Sequence, residues 1–256
     1  MLHPVNDPVA QLRDLGVAPG GVLLVHTSYR AIRPIDGGPE GLIGALREAL
    51  GPDGTLVMPS WSGEEDEPFD PRSSAADEDL GVVAQVFWQL PGVLRADHFH
   101  AFAAVGPQAA FVLQDPLPLP PHFPASPVGR VHDLDGQVLL LGVNHDANTT
   151  IHLAETMAEV PYGVPKYGAV LRDGRRERIR YRENDHCCRN FSRVDEWLRA
   201  EGLQAEGPVG HGNGRLARSR DVTGVVIVKL KEEPLLFLCE PGSGCEECET
   251  ARASVE

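Results

Sequence analysis

Short, wholly apolar runs alternate along the chain with segments whose apolar positions recur every three or four residues. Residues 22–25, 55–58 and 138–141 are runs of the first kind and predict buried strands. Segments of the second kind predict helices, at residues 8–16, 39–50, 80–90 and 190–201. Buried strands that alternate with helices are typical of an α/β fold with a mostly parallel central sheet.

The rest of the pattern is less regular. Residues 168–182 surround an Arg-Asp-Gly turn and predict a small hairpin. Residues 222–230 and 234–239 are apolar runs and predict two late strands. The proline-rich residues 115–127 are expected to form a surface loop. No linker separates two halves, so we expect a single domain over residues 1–256, with a smaller irregular subdomain built from insertions and the C-terminal segment.

Composition narrows the class of protein. The 256 residues are 42% apolar, which is enough for a sizeable core. No apolar run approaches the roughly 18 residues that a membrane span needs, and the N-terminus lacks the basic and apolar regions of a secretion signal. The five cysteines are an odd number and all follow residue 186, which argues against a disulfide framework. We therefore expect a cytoplasmic protein.

The formal net charge is −14, which disfavours nucleic acid and membranes as partners. A solvated, acidic surface is the simplest interpretation. The acidic residues are clustered, however, at positions 64–70, 77–79 and 183–185, close to predicted strand ends or to the first cysteine. Loop carboxylates in such places could line a site for a polyamine.

The segment from Gln137 to Glu155 contains the best candidate chemistry. A buried strand ends at Gly142, a polar loop follows, and a helix begins near Thr149 with His152 in its first turn. A spacing of three places His152 and Glu155 on one helical face, where the carboxylate could orient the imidazole as a proton acceptor. A core histidine satisfied by a neighbouring glutamate is the alternative.

Two further groups of residues are candidates. The strand at residues 22–25 runs into His26-Thr27-Ser28-Tyr29-Arg30, whose hydroxyls, backbone N–H groups and cation would suit a phosphate or a pantetheine amide, or simply cap a helix. Four of the five cysteines could hold a structural zinc ion, because a Cys-x-x-Cys pair is a zinc half-site. Free thiols in a loose tail are the alternative. The cysteines are Cys187, Cys188, Cys239, Cys245 and Cys248.

Other cofactor motifs are missing from the sequence. It has no GxxxxGK[ST], no GxGxxG after a strand and no GxSxG. A catalytic Cys–His pair is disfavoured, because His186-Cys187-Cys188 does not lie in a strand-to-helix turn. His98, His100 and His145 could belong to a zinc-dependent amidohydrolase, although neither HExxH nor HxHxDH is present.

Several longer blocks together resemble the aminoglycoside 3-N-acetyltransferases of the Antibiotic_NAT family, and most closely the type IV enzymes that act on apramycin, gentamicin and tobramycin. The blocks include PGGVLLVHTSYRAIRP, EALGPDGTLVMPSWSG, SPVGRVHDLDGQVLLLGVNHDANTTIHLAE, ENDHCC and GCEEC. The segment around His98 departs from the Ser-His-Pro that the family often has. The resemblance implies an α/β/α layered fold distinct from the common GNAT acetyltransferase fold, with acetyl-CoA as donor and the 3-amine of a 2-deoxystreptamine ring as acceptor.

The resemblance also implies roles for individual residues. His152 and Glu155 match the catalytic pair, and coenzyme A contacts are implied for His26, Thr27, Ser28 and Ser60. Our hypothesis is that His152 takes the proton of the attacking amine and that Thr149 stabilises the oxyanion, without a covalent intermediate. Carboxylates would hold the polycationic drug, and the candidates are Asp66, Asp70, Asp146, Glu183 and Asp185. Acylation of another amine, a zinc amidohydrolase and a non-catalytic drug binder are the alternatives.

Overall fold

The structure is a computed structural model that describes residues 7–63, 67–114, 117 and 119–255. Its strands are β1 Val22–Thr27, β2 Thr55–Pro59, β3 Leu94–Arg95, β4 Phe102–Val105, β5 Gln137–Leu141, β6 Val164–Arg172, β7 Arg175–Glu183, β8 Gln204–Val209 and β9 Gly212–Arg218. Its α-helices are α1 Pro8–Leu15, α2 Tyr29–Ile32, α3 Gly38–Leu50, α4 Gly81–Phe87, α5 Ala109–Val112, α6 Pro127–Asp133, α7 Thr149–Met157, α8 Val194–Ala200, α9 Ser219–Glu232 and α10 Glu246–Ala253.

The main sheet of the described residues has seven strands in the order β3-β4-β2-β1-β5-β9-β8. The three central strands β2, β1 and β5 are parallel to one another. The strands on both sides, β4 and β3 on one and β9 and β8 on the other, pair antiparallel. The α/β prediction is confirmed, and the expected parallel pairing holds for the central strands of a mixed sheet.

Alternate side chains of β1 enter two different core layers, which makes the fold three-layered. Leu23 and Val25 pack in one core with residues of α1, α3 and α4. Val22 and Leu24 pack in the other core with residues of α5, α6 and α7. Because a strand has a period of two, a buried strand with apolar residues on both faces needs helices on both sides. The α/β/α layering expected from the resemblance is therefore present.

Local caps fix the helix that begins the candidate site. The Asn148 side chain accepts a hydrogen bond from the Thr150 N–H at 3.0 Å, and so caps the N-terminus of α7. The Asn148 amide is itself 3.1 Å from His145 Nδ1, and His145 Nε2 is 2.8 Å from Gln204 Oε1 on β8. The start of α7 is therefore anchored to the edge of the sheet.

Two late strands predicted from the sequence are wrong. Residues 222–230 belong to helix α9, in which Val222, Val225, Val226 and Leu230 are buried at helical spacing. The β-branched residues there favoured a strand locally, but packing against α7 and α8 determines the outcome. Residues 234–237 form a turn and Leu238 lies in a bend. Residues 236–239 are buried, with Phe237 in one apolar cluster and Leu238 in another.

A second, two-stranded sheet lies outside the main one. Strands β6 and β7 form the predicted hairpin, with Arg172 paired to Arg175 across its turn. The sequence did not predict β4, β8 or β9, which are short or rich in glycine and polar residues. The smaller subdomain stays a prediction. Within the described ranges, no helix combines the length and the apolar character that crossing a bilayer would require.

Candidate active site

A cavity of about 610 Å³ lies where the parallel strands end. Residues at or just beyond the carboxyl ends of β1, β2 and β5 line it, including Thr27, Pro59 and Val143. The start of α7 and the end of the β6–β7 hairpin close two further sides. This is the edge at which open α/β sheets bind their ligands.

His152 and Glu155 form the predicted pair at this cavity. His152 lines the cavity, with 19% of its side chain exposed, while Glu155 lies behind it and is fully buried. His152 Nδ1 is 2.6 Å from Glu155 Oε2. Because an ionised carboxylate only accepts hydrogen bonds, Nδ1 donates, and Nε2 is the ring atom that can exchange a proton within the cavity.

Glu155 has two further donors that the sequence did not predict. Tyr162 Oη and His186 Nε2 both donate to Glu155 Oε1, and the His186 contact is 2.9 Å. Burial alone would raise the pKa of Glu155, but the neighbouring His152 and the hydrogen bonds from His152 and His186 lower it to about 2. The carboxylate therefore stays charged and fixes the orientation of His152.

The electrostatic surroundings single out His152 among the histidines of the cavity. Burial lowers the pKa of His26 and of His100 to about 3 each, and lowers that of His122 well below its usual value. Burial also acts to lower the pKa of His152, but Cys188 and Glu155 raise it well above the usual range. Only one of these four rings is therefore set up to hold a proton near neutral pH.

Thr149 lies in the first turn of α7 and lines the same cavity. Its Oγ1 is 3.2 Å from His26 Nε2 at the end of β1. Since His26 is neutral, its Nε2–H can donate to the threonine oxygen, which leaves the hydroxyl hydrogen of Thr149 for a ligand. His26 thus contacts Thr149 in addition to lining the cavity.

His122 is another residue that the sequence did not assign to the site. It comes from the proline-rich segment, lines the cavity, and stacks on His152 with ring centroids 5.3 Å apart and planes 18° apart. No local pattern around His122 indicated this contact, because the segment has neither a strand nor a helix period. Residues 115, 116 and 118 of the predicted surface loop lie outside the described residues; of the others, His122 belongs to the site.

The predicted carboxylates separate into three groups. Asp146, Glu183 and Asp185 line the cavity, and Asp185 forms an ion pair with Lys166 at 2.6 Å. Asp70 is not among the lining residues, and its carboxylate accepts hydrogen bonds from Arg72 N and Ser73 Oγ. Asp66 lies outside the described residues. Two more carboxylates of the acidic segment also line the cavity, Asp77 and Asp79.

The residues expected to contact coenzyme A are also divided. His26 and Thr27 line the cavity, and Thr27 Oγ1 is buried without a hydrogen-bond partner among the described residues. Ser28 precedes α2 and Ser60 is fully buried after β2, and neither belongs to the described cavity lining. The adjacent Trp61 does line it.

The cysteines form one cluster of four and one separate thiol. Cys187, Cys239, Cys245 and Cys248 have sulfur atoms that all lie within 4.8 Å of one another. Cys187 Sγ is 3.5 Å from the sulfurs of both Cys239 and Cys248. The fifth, Cys188, lies in the cavity with its sulfur 3.4 Å from His152 Nε2.

The histidines of the alternative amidohydrolase site have other partners or none. Both ring nitrogens of His145 are near amides, those of Asn148 and Gln204. His100 Nε2 is 2.9 Å from Tyr181 Oη. His98 is buried, and neither of its ring nitrogens has a partner in the described part of the chain. Among the residues described, these three histidines form no common group of metal ligands.

Comparisons with known proteins agree with the resemblance. The profile of the Antibiotic_NAT family, described as aminoglycoside 3-N-acetyltransferase, matches residues 24–231. Aminoglycoside N(3)-acetyltransferase IV from Salmonella sp is 62% identical over 236 residues, covering 92% of this chain and 90% of the relative.

Two solved structures extend the comparison to the fold. A mutant of the aminoglycoside acetyltransferase AAC(3)-IVa in complex with a gentamicin has a TM-score of 0.97 and 60% identity, covering 100% of this chain and 99% of the other. AAC-IIIb in a binary complex with CoASH has a TM-score of 0.80 and 25% identity, covering 88% and 95%. The chain belongs to the aminoglycoside 3-N-acetyltransferase family.

Proposed function

We propose that this protein transfers the acetyl group of acetyl-CoA to the 3-amino group of the 2-deoxystreptamine ring of aminoglycosides, by direct attack of the amine. The observation that carries the mechanism is the His152–Glu155 pair, whose Nε2 faces an acid-lined cavity at the carboxyl ends of the central strands, with the Cys188 sulfur 3.4 Å away. A relative whose name states this activity covers 92% of the chain at 62% identity.

The acceptor binds through the carboxylates of the cavity. Asp77, Asp79, Asp146, Glu183 and Asp185 surround a space that a polycation can enter. Lys166 already places one ammonium group 2.6 Å from Asp185, which illustrates how a drug amine would be held there. Asp66 remains a candidate of the same kind, and the cavity geometry supports Asp77 and Asp79 in preference to Asp70.

The donor binds at the ends of β1 and β2. His26 and Thr27 line the cavity, and the unpartnered Thr27 hydroxyl suits a pantetheine amide. Ser28 and Ser60 flank these positions and remain candidates for coenzyme A contacts. A family relative has been solved in a binary complex with CoASH, which supports a coenzyme A site on this fold.

The chemistry follows from the protonation states. A bound ammonium group has no free electron pair, so His152 Nε2 takes its proton directly or through one water. The amine then attacks the thioester carbonyl, and the Thr149 hydroxyl donates to the oxyanion, which is worth roughly 3 kcal/mol. His26 keeps that hydroxyl correctly directed by donating to its oxygen. As the intermediate collapses, its nitrogen gives up a second proton to solvent and the coenzyme A thiolate leaves. The thiolate takes the proton that His152 holds, so a neutral amide and a thiol remain.

An assay of thiol release tests this function. Purified protein is mixed with acetyl-CoA and with gentamicin or apramycin, and the free thiol of coenzyme A is measured. We expect drug-dependent release, and mass spectrometry should locate the new acetyl group on the 3-amine. His152→Ala should lower kcat by at least about a hundredfold. The control Glu159→Gln changes an exposed residue two positions past the end of α7 and should leave kcat unchanged. Binding of drug without release would favour the non-catalytic binder.

We also propose that Cys187, Cys239, Cys245 and Cys248 hold a structural zinc ion. Zn–S bonds of about 2.3 Å in a tetrahedron place neighbouring sulfurs roughly 3.8 Å apart, which the cluster already approximates. The ion would join α10 to the loop before Cys188. Cys188, which the sequence left as an alternative ligand, points instead to His152.

Metal analysis tests the zinc site separately from catalysis. We expect one zinc ion per chain in protein purified without chelator, and a loss of that ion together with a lower melting temperature in Cys245→Ser. Four thiols that react freely in the native protein, with no stoichiometric metal, would refute the site. A cytoplasmic location is part of the same proposal, because none of the five cysteines forms a disulfide bond and acetyl-CoA is the donor.

A further inference from the structure

Cys188 is the one cysteine outside the four-thiol cluster, and it lies at the proton-accepting atom of the proposed base. Its sulfur is 3.4 Å from His152 Nε2 and 3.2 Å from the carbonyl oxygen of His186. The residue adopts a left-handed backbone conformation with φ of 55°. A hydrogen bond from the Cys188 N–H to His186 Nδ1, at 3.1 Å, holds this conformation.

Cys188, His152 and Glu155 together have the arrangement of an activated nucleophile. A thiol lies beside a base, and a buried carboxylate fixes the base at its other nitrogen. Glu155 only accepts hydrogen bonds, so Nδ1 carries a hydrogen whether or not the His152 ring is charged, and Nε2 faces the sulfur. Because the pKa of His152 is raised, the neutral ring, whose Nε2 has a lone pair, becomes more populated as the pH rises. The thiol can therefore pass its proton to Nε2 as it attacks.

We propose that Cys188 accepts the acetyl group of acetyl-CoA when no drug is bound, and that the S-acetyl cysteine is then hydrolysed. This gives the protein a second activity, a drug-independent acetyl-CoA hydrolysis. The inference rests on the proposed function only in placing acetyl-CoA in this cavity. This hydrolysis competes with direct transfer to the drug. In direct transfer the amine, and not the thiol, contacts His152 Nε2.

The two steps balance without any other reactant than water. In the first, Cys188 Sγ bonds to the acetyl carbonyl carbon, its proton passes to His152 Nε2, and the bond from that carbon to the coenzyme A sulfur breaks. The coenzyme A thiolate takes the proton from Nε2 and leaves as a thiol. One thioester replaces another, so the step is reversible. In the second, water loses one proton to Nε2 and attacks the S-acetyl carbon, the bond from that carbon to Cys188 Sγ breaks, and the Cys188 thiolate takes the proton from Nε2. Acetic acid leaves and loses its remaining acidic proton to solvent.

Drug binding should suppress this branch. The acceptor amine must reach the same nitrogen that Cys188 now contacts, since Nδ1 is held by Glu155. A bound amine therefore displaces the thiol from its base. The four clustered cysteines lie apart from any such histidine contact in the described structure, and they serve as internal controls for selective acetylation.

The experiment incubates the protein with acetyl-CoA alone, quenches in acid and maps the acetylated peptide by mass spectrometry. We expect one acetyl group on Cys188, removable by neutral hydroxylamine, and slow release of free coenzyme A. Gentamicin should reduce the label. Cys188→Ala should lower drug-independent release at least about tenfold, and His152→Ala should prevent labelling. Thermal unfolding shows whether each variant is folded.

Further outcomes distinguish failure of this inference from failure of the proposed function. Drug-dependent transfer by a preparation in which Cys188 stays unlabelled would overturn the inference and leave the proposed function intact. Labelling on the clustered cysteines instead of Cys188, or undiminished labelling in His152→Ala, would also overturn it. A small acetyl thioester without the coenzyme A nucleotide tests the nucleophile alone. Labelling of Cys188 by that reagent, in protein that transfers to no drug, would support the inference and contradict the proposed acceptor.

Discussion

The buried carboxylate of Glu155 accepts hydrogen bonds from three donors, which makes Glu155→Gln a sharp test of the proton-transfer mechanism. His152 donates to Oε2, and Tyr162 and His186 both donate to Oε1. Glutamine has one oxygen, and that oxygen best replaces Oε1, where two donors meet. Its NH₂ group then faces His152 Nδ1, which must become an acceptor. The hydrogen of the ring moves to Nε2, and the base can no longer accept a proton from the amine.

Glu155→Gln should lower both the reaction rate and the stability of the protein, by amounts that can be estimated. A base in the wrong tautomer loses most of the factor of about 10² to 10⁴ that general base catalysis supplies. The carboxyl pKa of about 2, against an ordinary value of 4.5, corresponds to about 3 kcal/mol of stability. Because the folded pKa is the lower one, this stability is present above about pH 4.5 and is lost as the pH falls towards 2. The variant has no such carboxylate to protonate.

Two measurements check the reasoning on Glu155. Thiol-release rates at saturating substrates should show kcat reduced at least about a hundredfold. Urea unfolding from neutral pH down to about pH 3 should show the stability difference between wild type and variant narrowing through the window below 4.5. Glu159→Gln makes the same chemical change at an exposed position and should alter neither result. A near-normal kcat in folded Glu155→Gln would refute the tautomer argument. A stability difference that does not change with pH would refute the ionised carboxylate on which that argument rests.

Three further predictions concern the oxyanion, the base and the acidic loop. Thr149→Val should lower kcat about a hundredfold with little change in coenzyme A affinity, whereas Thr149→Ser should keep most activity; equal losses in both would point to a packing defect. The value of kcat/KM should rise with pH along a limb set by the raised pKa of His152, above 6.5, and a limb below 6.5 would contradict the assignment. Arg95 donates to the carbonyl oxygens of Ser60 and Ser74, which flank the acidic loop, at 2.6 Å each. Arg95→Met should therefore destabilise the protein by about 2 kcal/mol in urea unfolding and raise KM for the drug. An unchanged KM would show that the acidic loop does not depend on Arg95.

The parts of the site that the sequence predicted are those set by local periodicity. Glu155 follows His152 by three positions, so the helix alone brings the two side chains together, and His152 Nδ1 lies 2.6 Å from Glu155 Oε2. The strand ends at Thr27 and Pro59 follow equally from short apolar runs bounded by polar segments. The resemblance to the family added the substrates and the fold, and the family is confirmed over residues 24–231.

The parts that could not be predicted depend on contacts between distant segments. Tyr162 and His186 reach Glu155 from outside α7, and no spacing in the sequence indicates that they share one oxygen. His122 reaches the site from a proline-rich segment without periodicity. Helix α9 was predicted as a strand because its β-branched residues outweighed the spacing of its buried positions.

Residues 186–188 connect the C-terminal segment, which carries Cys239, Cys245 and Cys248, to the catalytic residues. His186 donates to Glu155, Cys187 joins the thiol cluster with Cys239 and the cysteines of the α10 region, and Cys188 contacts His152. Cys188 has a left-handed φ of 55° and lines the cavity, while the sulfur of Cys187 lies with the cluster. A zinc ion in that cluster would hold Cys187 and thereby limit how far its two neighbours can move. Since one neighbour orients the carboxylate and the other touches the base, the metal would act on catalysis through position alone, without lying in the cavity.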